Sequence, residues 1–292
     1  MSSTERRYVI SLGCPDRTGI VAKIAGFLTE FGGWIVEAAY HTDPTTNWFF
    51  TRQEVLASSL PFDVRELSAR FAGVARELGP RADWRVTDTG ERKRAVILVS
   101  KEGHCLYDLL GRVASGELDV DVTSVIGNHK DLAGITEAHG IPFPPRSVPG
   151  RRPGEQGGGV RQLRQLVDGH QPHAIVLARF HAGPAERAVH GVGGPRGEHP
   201  PQFPAVLRRR AAVPPGPRPR REAGRRDLPL RDRRAGRGGP IIEQDVIRVS
   251  HSDSDRDMVR KGRDIEKIVL ARGLRWHLED RVLVHGNRTV VF

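Results

Sequence analysis

The chain has 292 residues, with 46 Lys plus Arg against 35 Asp plus Glu for a net charge of +11, and only two cysteines. That is enough length for one large or two modest domains with real cores, and too few cysteines for a disulfide framework. The longest apolar runs, such as Ala95 to Val99 and Ala174 to Leu177, fall far short of the roughly 18 to 20 residues of a membrane span, and polar Met1 to Arg7 leads into no apolar secretory segment, so a cytoplasmic location without membrane contact is the expectation.

From Tyr8 to about Val86 the pattern is regular. Tyr8 to Leu12 reads as a strand and Cys14-Pro-Asp-Arg-Thr-Gly19 as a loop. The helix from Thr18 to Phe31 places Ile20, Ile24, Phe27 and Phe31 on one face, and Gly32-Gly33 stops it. Trp34 to Tyr40 and Trp48 to Val55 are strands joined by a turn at Asp43-Pro44, and Phe62 to Leu78 repeats the helical stripe. Trp84 to Val86 closes the order βαββαβ.

The stretch Cys14-Pro-Asp-Arg-Thr-Gly-Ile-Val-Ala-Lys-Ile-Ala25 resembles the ACT domain, a ferredoxin-like module that binds amino acids and related effectors. The resemblance covers residues 7–87 and implies an effector site at Asp16, Arg17 and Gly19, with a homo-oligomer formed by pairing of the open sheets. In physical terms, N–H groups at a helix N-terminus take a carboxylate and Asp16 takes an ammonium. The plainer alternative is that Asp16 caps the helix while Gly19 permits close packing.

After a polar linker, residues 88–94, a new pattern occupies 95–292. Ala95 to Val99 is a continuous apolar run, as in a strand covered on both faces. A helix with Leu106, Leu109, Leu110 and Val113 follows, then a strand from Val122 to Ile126 and a helix from Leu132 to His139. A doubly wound sheet places its ligands at the carboxyl ends of the strands. His104, Cys105, Asn128 and His129 lie there, but without Cys-x-x-Cys or His-x-x-x-His spacing they form no metal set, and a loop hydrogen bond is the ordinary role for each.

Residues 144–237 differ in kind. They hold 20 Arg, no Lys and seven acids, a balance of +13 that leaves −2 for the rest of the chain. They also hold 15 of the 21 Pro and 14 of the 33 Gly, with no Met, Trp or Tyr. A nucleic-acid clamp would need a stacking platform, and only Phe180 and Phe203 are aromatic, so a nucleic-acid partner is not expected.

Beyond this window, Gly239 to Val246 reads as a loop into a strand, Ser254 caps a helix from Asp255 to about His277, and Arg281 to Phe292 reads as a hairpin turning at Gly286-Asn287. Gly239-Pro-Ile-Ile-Glu-Gln-Asp-Val246 and Val282-Leu-Val-His-Gly-Asn-Arg-Thr-Val-Val-Phe292, taken with 7–143 and the island Val160 to Phe180, resemble the formyltetrahydrofolate deformylases. The fold this implies is an α/β chain, a ferredoxin-like βαββαβ ACT domain followed by a doubly wound formyltransferase-type α/β domain, irregular over 144–237. The activity it implies is hydrolysis of 10-formyltetrahydrofolate to formate and tetrahydrofolate, supplying formate for purine biosynthesis. The folate is substrate, no cofactor or metal is implied, and an amino acid is the implied effector.

The family's catalysis rests on an Asn and a His in Asn-Ile-His-His-Ser-Phe-Leu-Pro, which hydrogen-bond the developing oxyanion, and on an Asp two residues before Gly-Pro, which steers or deprotonates water. Here the Asn-Ile-His-His motif is absent and Arg237 stands at the Asp position. Arginine neither accepts a proton nor becomes an anion. Asp232 is the nearest upstream carboxylate and a fallback by proximity alone.

Residues 144–159 and 181–237 are compatible with a shifted reading frame. Glu198 to Ala205 can be encoded so that reading from the second base gives Asn-Ile-His-His-Ser-Phe-Leu, and Gly236-Arg237 can contain an Asp codon one base on. Three other readings stand beside this one: a catalytically dead, ACT-bearing effector-binding protein, a formyltransferase acting on an amine acceptor, and, weakest, the nucleic-acid clamp.

Overall fold

The structure, a computed structural model, describes residues 5–144, 156–180, 205–208, 240–286 and 288–292. The expectation of an irregular stretch over 144–237 lies largely outside the described residues, as do Asp232 and Arg237.

The N-terminal unit runs β1 (Arg7–Pro15), α1 (Ile20–Glu30), β2 (Ile35–Asp43), β3 (Trp48–Leu56), α2 (Val64–Leu78), β4 (Asp83–Asp88). Its strands pair antiparallel in the order β2-β3-β1-β4. Alternation along β1 sends Tyr8, Ile10, Leu12 and Cys14 to the face carrying the helices, where Ile20, Ile24 and Leu28 of α1 and Leu67, Phe71 and Leu78 of α2 complete a core. Leu28 rather than Phe27 joins Ile20 and Ile24 in the buried stripe of α1, while Phe27 and Phe31 pack edge to face at 5.5 Å along its side. Burial pushes the Cys14 thiol up to about 11, so this cysteine is an inert core residue.

The second unit begins with β5 (Arg94–Val99), α3 (His104–Ala114), β6 (Asp121–Gly127), the short α4 (Ala133–Ala138), α5 (Gln156–Gly169) and β7 (Ala174–Ala178). It continues with β8 (Ala205–Arg208), α6 (Asp255–Leu278) and the hairpin β9 (Val282–His285) and β10 (Arg288–Val291). Among the described residues, four strands pair in parallel in the order β6-β5-β7-β8. The apolar run of β5 is divided between two faces: Ala95, Ile97 and Val99 pack with α3 and α6, and Val96 and Leu98 with Leu163 and Val167 of α5. The island 160–180 thus belongs to this core, with Ala174 in register beside Ala95.

Residues 240–250, expected as a loop into a strand, form no strand. They are tied to α6 by side chains instead: Ile242 packs on the core and Glu243 pairs with Arg272 at 2.9 Å, while the Thr289 hydroxyl donates to the Ile241 carbonyl. A β-rich composition forms a ladder only where a partner edge is present.

The face of the N-terminal sheet opposite its helices meets the end of α6. Arg52 donates to the carbonyls of Glu279 and Asp280, the latter at 3.2 Å, and to Glu54 at 2.6 Å. Asp280 takes bonds from Lys93 and from Thr87 at 2.7 Å and lies 3.4 Å from Arg85. Cations at a helix C-terminus complement its dipole, and Trp48 stacks on His285 at 3.8 Å beside them.

Candidate functional site

β5 is the switch strand of the parallel sheet, because β6 lies on one side of it and β7 on the other. The crevice outside its carboxyl end is where an α/β fold of this kind takes its ligand. Three segments converge there. The loop after β5 leads into α3 at His104, β7 ends at Ala178 and is followed by Arg179 in the left-handed region at φ 62°, and α6 crosses above with Glu266.

Glu266 is buried, its side chain 7% exposed. Its Oε2 lies 2.7 Å from His104 Nε2 and 3.2 Å from Arg179 Nε. On the other side of the ring, His104 Nδ1 lies 3.8 Å from Glu102, which pairs with Arg263 at 2.6 Å. Donor atoms of His104, Cys105 and Glu266 all lie within 4.8 Å of one another, a mixed set that a transition ion accepts. The Arg179 guanidinium already holds the same carboxylate and opposes a cation there. Asn128 follows β6 on the same side, its N–H donating to the Val99 carbonyl at 3.4 Å, and its buried Oδ1 has no hydrogen-bond partner among the described residues.

His104 and Cys105 are therefore brought together with a partner some 160 residues away in sequence, which local spacing could not reveal. A signal was present all the same: Glu266 lies on the buried stripe of α6 with Leu270, Gly273 and His277, at i, i+4, i+7 and i+11. An acid on a helix's apolar face is buried with a partner as a rule.

In the N-terminal loop, Asp16 is half-buried, its N–H donating to the Asn47 carbonyl at 3.0 Å. It does not cap α1; Gly19 is the N-cap, with no side-chain hydrogen bond. Gly19 has φ 92°, and a Cβ there would meet nothing within 4 Å, so its glycine answers to backbone conformation rather than to close packing. Arg17 reaches the Glu77 carbonyl at 2.6 Å, and Lys23 pairs with the Glu77 carboxylate. The start of α1, with no acid in its first turn, is thus flanked by two basic side chains that α2 holds in place.

A formyltetrahydrofolate deformylase from Synechocystis sp. is 35% identical to this chain over 290 residues, which span 96% of each protein. The crystal structure of a formyltetrahydrofolate deformylase from Pseudomonas syringae superposes with a TM-score of 0.78 at 38% identity, covering 100% of this chain and 96% of that one. The chain belongs to the formyltetrahydrofolate deformylase family. No family model matches it. Deformylases of this family hydrolyse 10-formyltetrahydrofolate to formate and tetrahydrofolate, as the sequence resemblance implied. A phosphoribosylglycinamide formyltransferase from Coxiella burnetii, 20% identical with a TM-score of 0.51 over 69% of this chain, shares the fold of the second unit. Among the described residues no helix is long and apolar enough to cross a membrane.

Proposed function

We propose that the gene behind this chain encodes a formyltetrahydrofolate hydrolase acting in the crevice at the carboxyl end of β5, and that residues 144–159 and 181–237 are its catalytic stretches read out of frame. The observation that carries this reading is a change of chemistry within one fold. Segments before 144, within 160–180 and after 239 fill shared cores. The stretches between them carry arginine without lysine and neither the oxyanion donors nor the carboxylate that the family's reaction needs. In the intact reaction the water oxygen bonds to the formyl carbon, the C–N10 bond breaks, and its electron pair takes up a proton on N10 as formate leaves. The folate is the substrate, and no resident cofactor enters these steps.

The N-terminal unit is an effector module in this reading. Asp16, Arg17 and Gly19 frame a site for an amino acid, with the carboxylate at the start of α1 and the ammonium at Asp16. The edge strand β2, with Val36 and Tyr40 on it and Trp34 just before it open to solvent, pairs with a second copy. The protein works in the cytoplasm.

The test is formate release from 10-formyltetrahydrofolate by the chain as written and by the same chain with the reading frame restored. Each missing acid–base group is worth on the order of 10² to 10⁴ in rate, so the restored chain should be faster by at least about 10². Equal turnover by the two proteins contradicts the proposal.

A further inference from the structure

α3 presents its positive pole to the crevice. Its N-cap is Gly103, no side chain caps it, and its first turn carries no acid. In parallel α/β folds the first strand–loop–helix turn at the switch point is where phosphate groups of substrates dock. Here the anion beside that turn is the protein's own. Glu266 reaches in from α6, buried, with His104 at 2.7 Å and Arg179 at 3.2 Å. A second carboxylate, Glu102, stands on the far side of His104 and holds Arg263 at 2.6 Å. Among the described residues, the guanidiniums at this pole, Arg179 and Arg263, are thus each engaged by an internal carboxylate.

We infer that Glu266 is a specificity-determining residue that closes this pole to phosphorylated acceptors and so keeps water as the acceptor of the formyl group. This rests on the hydrolase reading above. An amine acceptor carrying a phosphate would have to place a dianion against the Glu266 and Glu102 carboxylates, a like-charge contact that selects against wrong partners. It would also have to take Arg179 away from a buried carboxylate, which costs that carboxylate a charge partner. Water demands neither. The same scaffold could therefore serve transfer to an amine or to water, according to whether the pole is open or internally filled.

The test uses inorganic phosphate as the probe, titrated calorimetrically into the full chain at low ionic strength, for the unaltered protein, Glu266→Gln and Glu102→Gln. Glu266→Gln keeps the volume and one acceptor oxygen while removing the charge. It should tighten phosphate binding at least tenfold, about 1.4 kcal/mol, with the gain lost on adding salt. Glu102 is partly exposed, its side chain 43% accessible, so Glu102→Gln stays folded and should gain in the same direction by less. The inference is overturned if the unaltered chain binds phosphate as tightly as Glu266→Gln. If Glu266→Gln does not fold, the Glu102→Gln titration decides: no gain there overturns the inference, and a salt-sensitive gain supports it. Formate release is not read, so a chain without hydrolase activity leaves this test intact.

Discussion

The α6 region buries two carboxylates, Glu266 along the helix and Asp280 just past its C-terminus, and their surroundings differ. Asp280 sits between the two sheets, by the amino end of β5, with Lys93, Arg85 and Thr87 around its oxygens. Burial alone would raise its carboxyl, but Arg85 and Lys93 hold it below the ordinary carboxylate value. Burial lowers the Lys93 ammonium, and Asp280 offsets part of that. Glu266 sits at the carboxyl ends of β5 and β7, where its partners His104 and Arg179 border the crevice. The same side-chain chemistry thus locks two domains at one end of α6 and shapes acceptor choice nearer the other, and position relative to the parallel strands decides which.

Of the two carboxylates, Asp280 should show the larger stability effect when removed, as Asp280→Ala. It leaves Lys93 buried without its anion and should cost about 3 to 5 kcal/mol, read from urea unfolding of the full chain. A loss below about 1 kcal/mol would show that the contact does not lock the domains.

A smaller effect comes from His277, whose Nε2 lies 3.2 Å from the His173 carbonyl. Burial, with Arg85 nearby, pushes its pKa from the ordinary 6.5 to about 4. Between these values the unfolded chain binds a proton that the folded chain does not, so stability rises with pH and is lost as pH falls from 6.5 toward 4. The slope is at most about 1.4 kcal/mol per pH unit for one proton. Asp280, whose folded pKa is depressed, adds loss of the same sign below its ordinary 3.8. Thermal unfolding midpoints against pH should fall more gently in His277→Gln than in the unaltered chain across this window. Parallel curves would assign the acid sensitivity elsewhere.

The smallest effect sits at the far end of the same helix. Ser254 and Asp257 form a reciprocal capping box, so Ser254→Ala should cost about 1 kcal/mol and leave the slope between pH 6.5 and 4 that His277 sets unchanged. A steeper pH dependence in that variant would tie the cap to the buried network.

Elements whose stabilising contacts are local were legible in the sequence. The stripe Leu67–Phe71–Leu78, the Ser254 cap and the apolar run of β5 each announce a helix, a helix start and a doubly covered strand. The strand expected near Ile241 failed because ladder formation depends on a distant partner edge. The polar clusters were illegible for the same reason: Glu266 meets His104 across 162 positions and Asp280 meets Lys93 across 187. Only their places on or beside the buried stripe of α6 hinted at them. The Cys14–Gly19 loop was legible as a motif, whereas the roles of its residues were not, since Arg17 is held by a carbonyl of α2.

Whether residues 144–159 and 181–237 are out of frame is decided by resequencing the gene. Compensating one-base insertions and deletions near codons 144, 160, 181 and 238, restoring Asn-Ile-His-His-Ser-Phe-Leu within codons 198–205 and an Asp across codons 236 and 237, are the predicted result. A nucleotide sequence that confirms the present frame throughout would contradict it and leave a catalytically dead, effector-binding member of the family in its place.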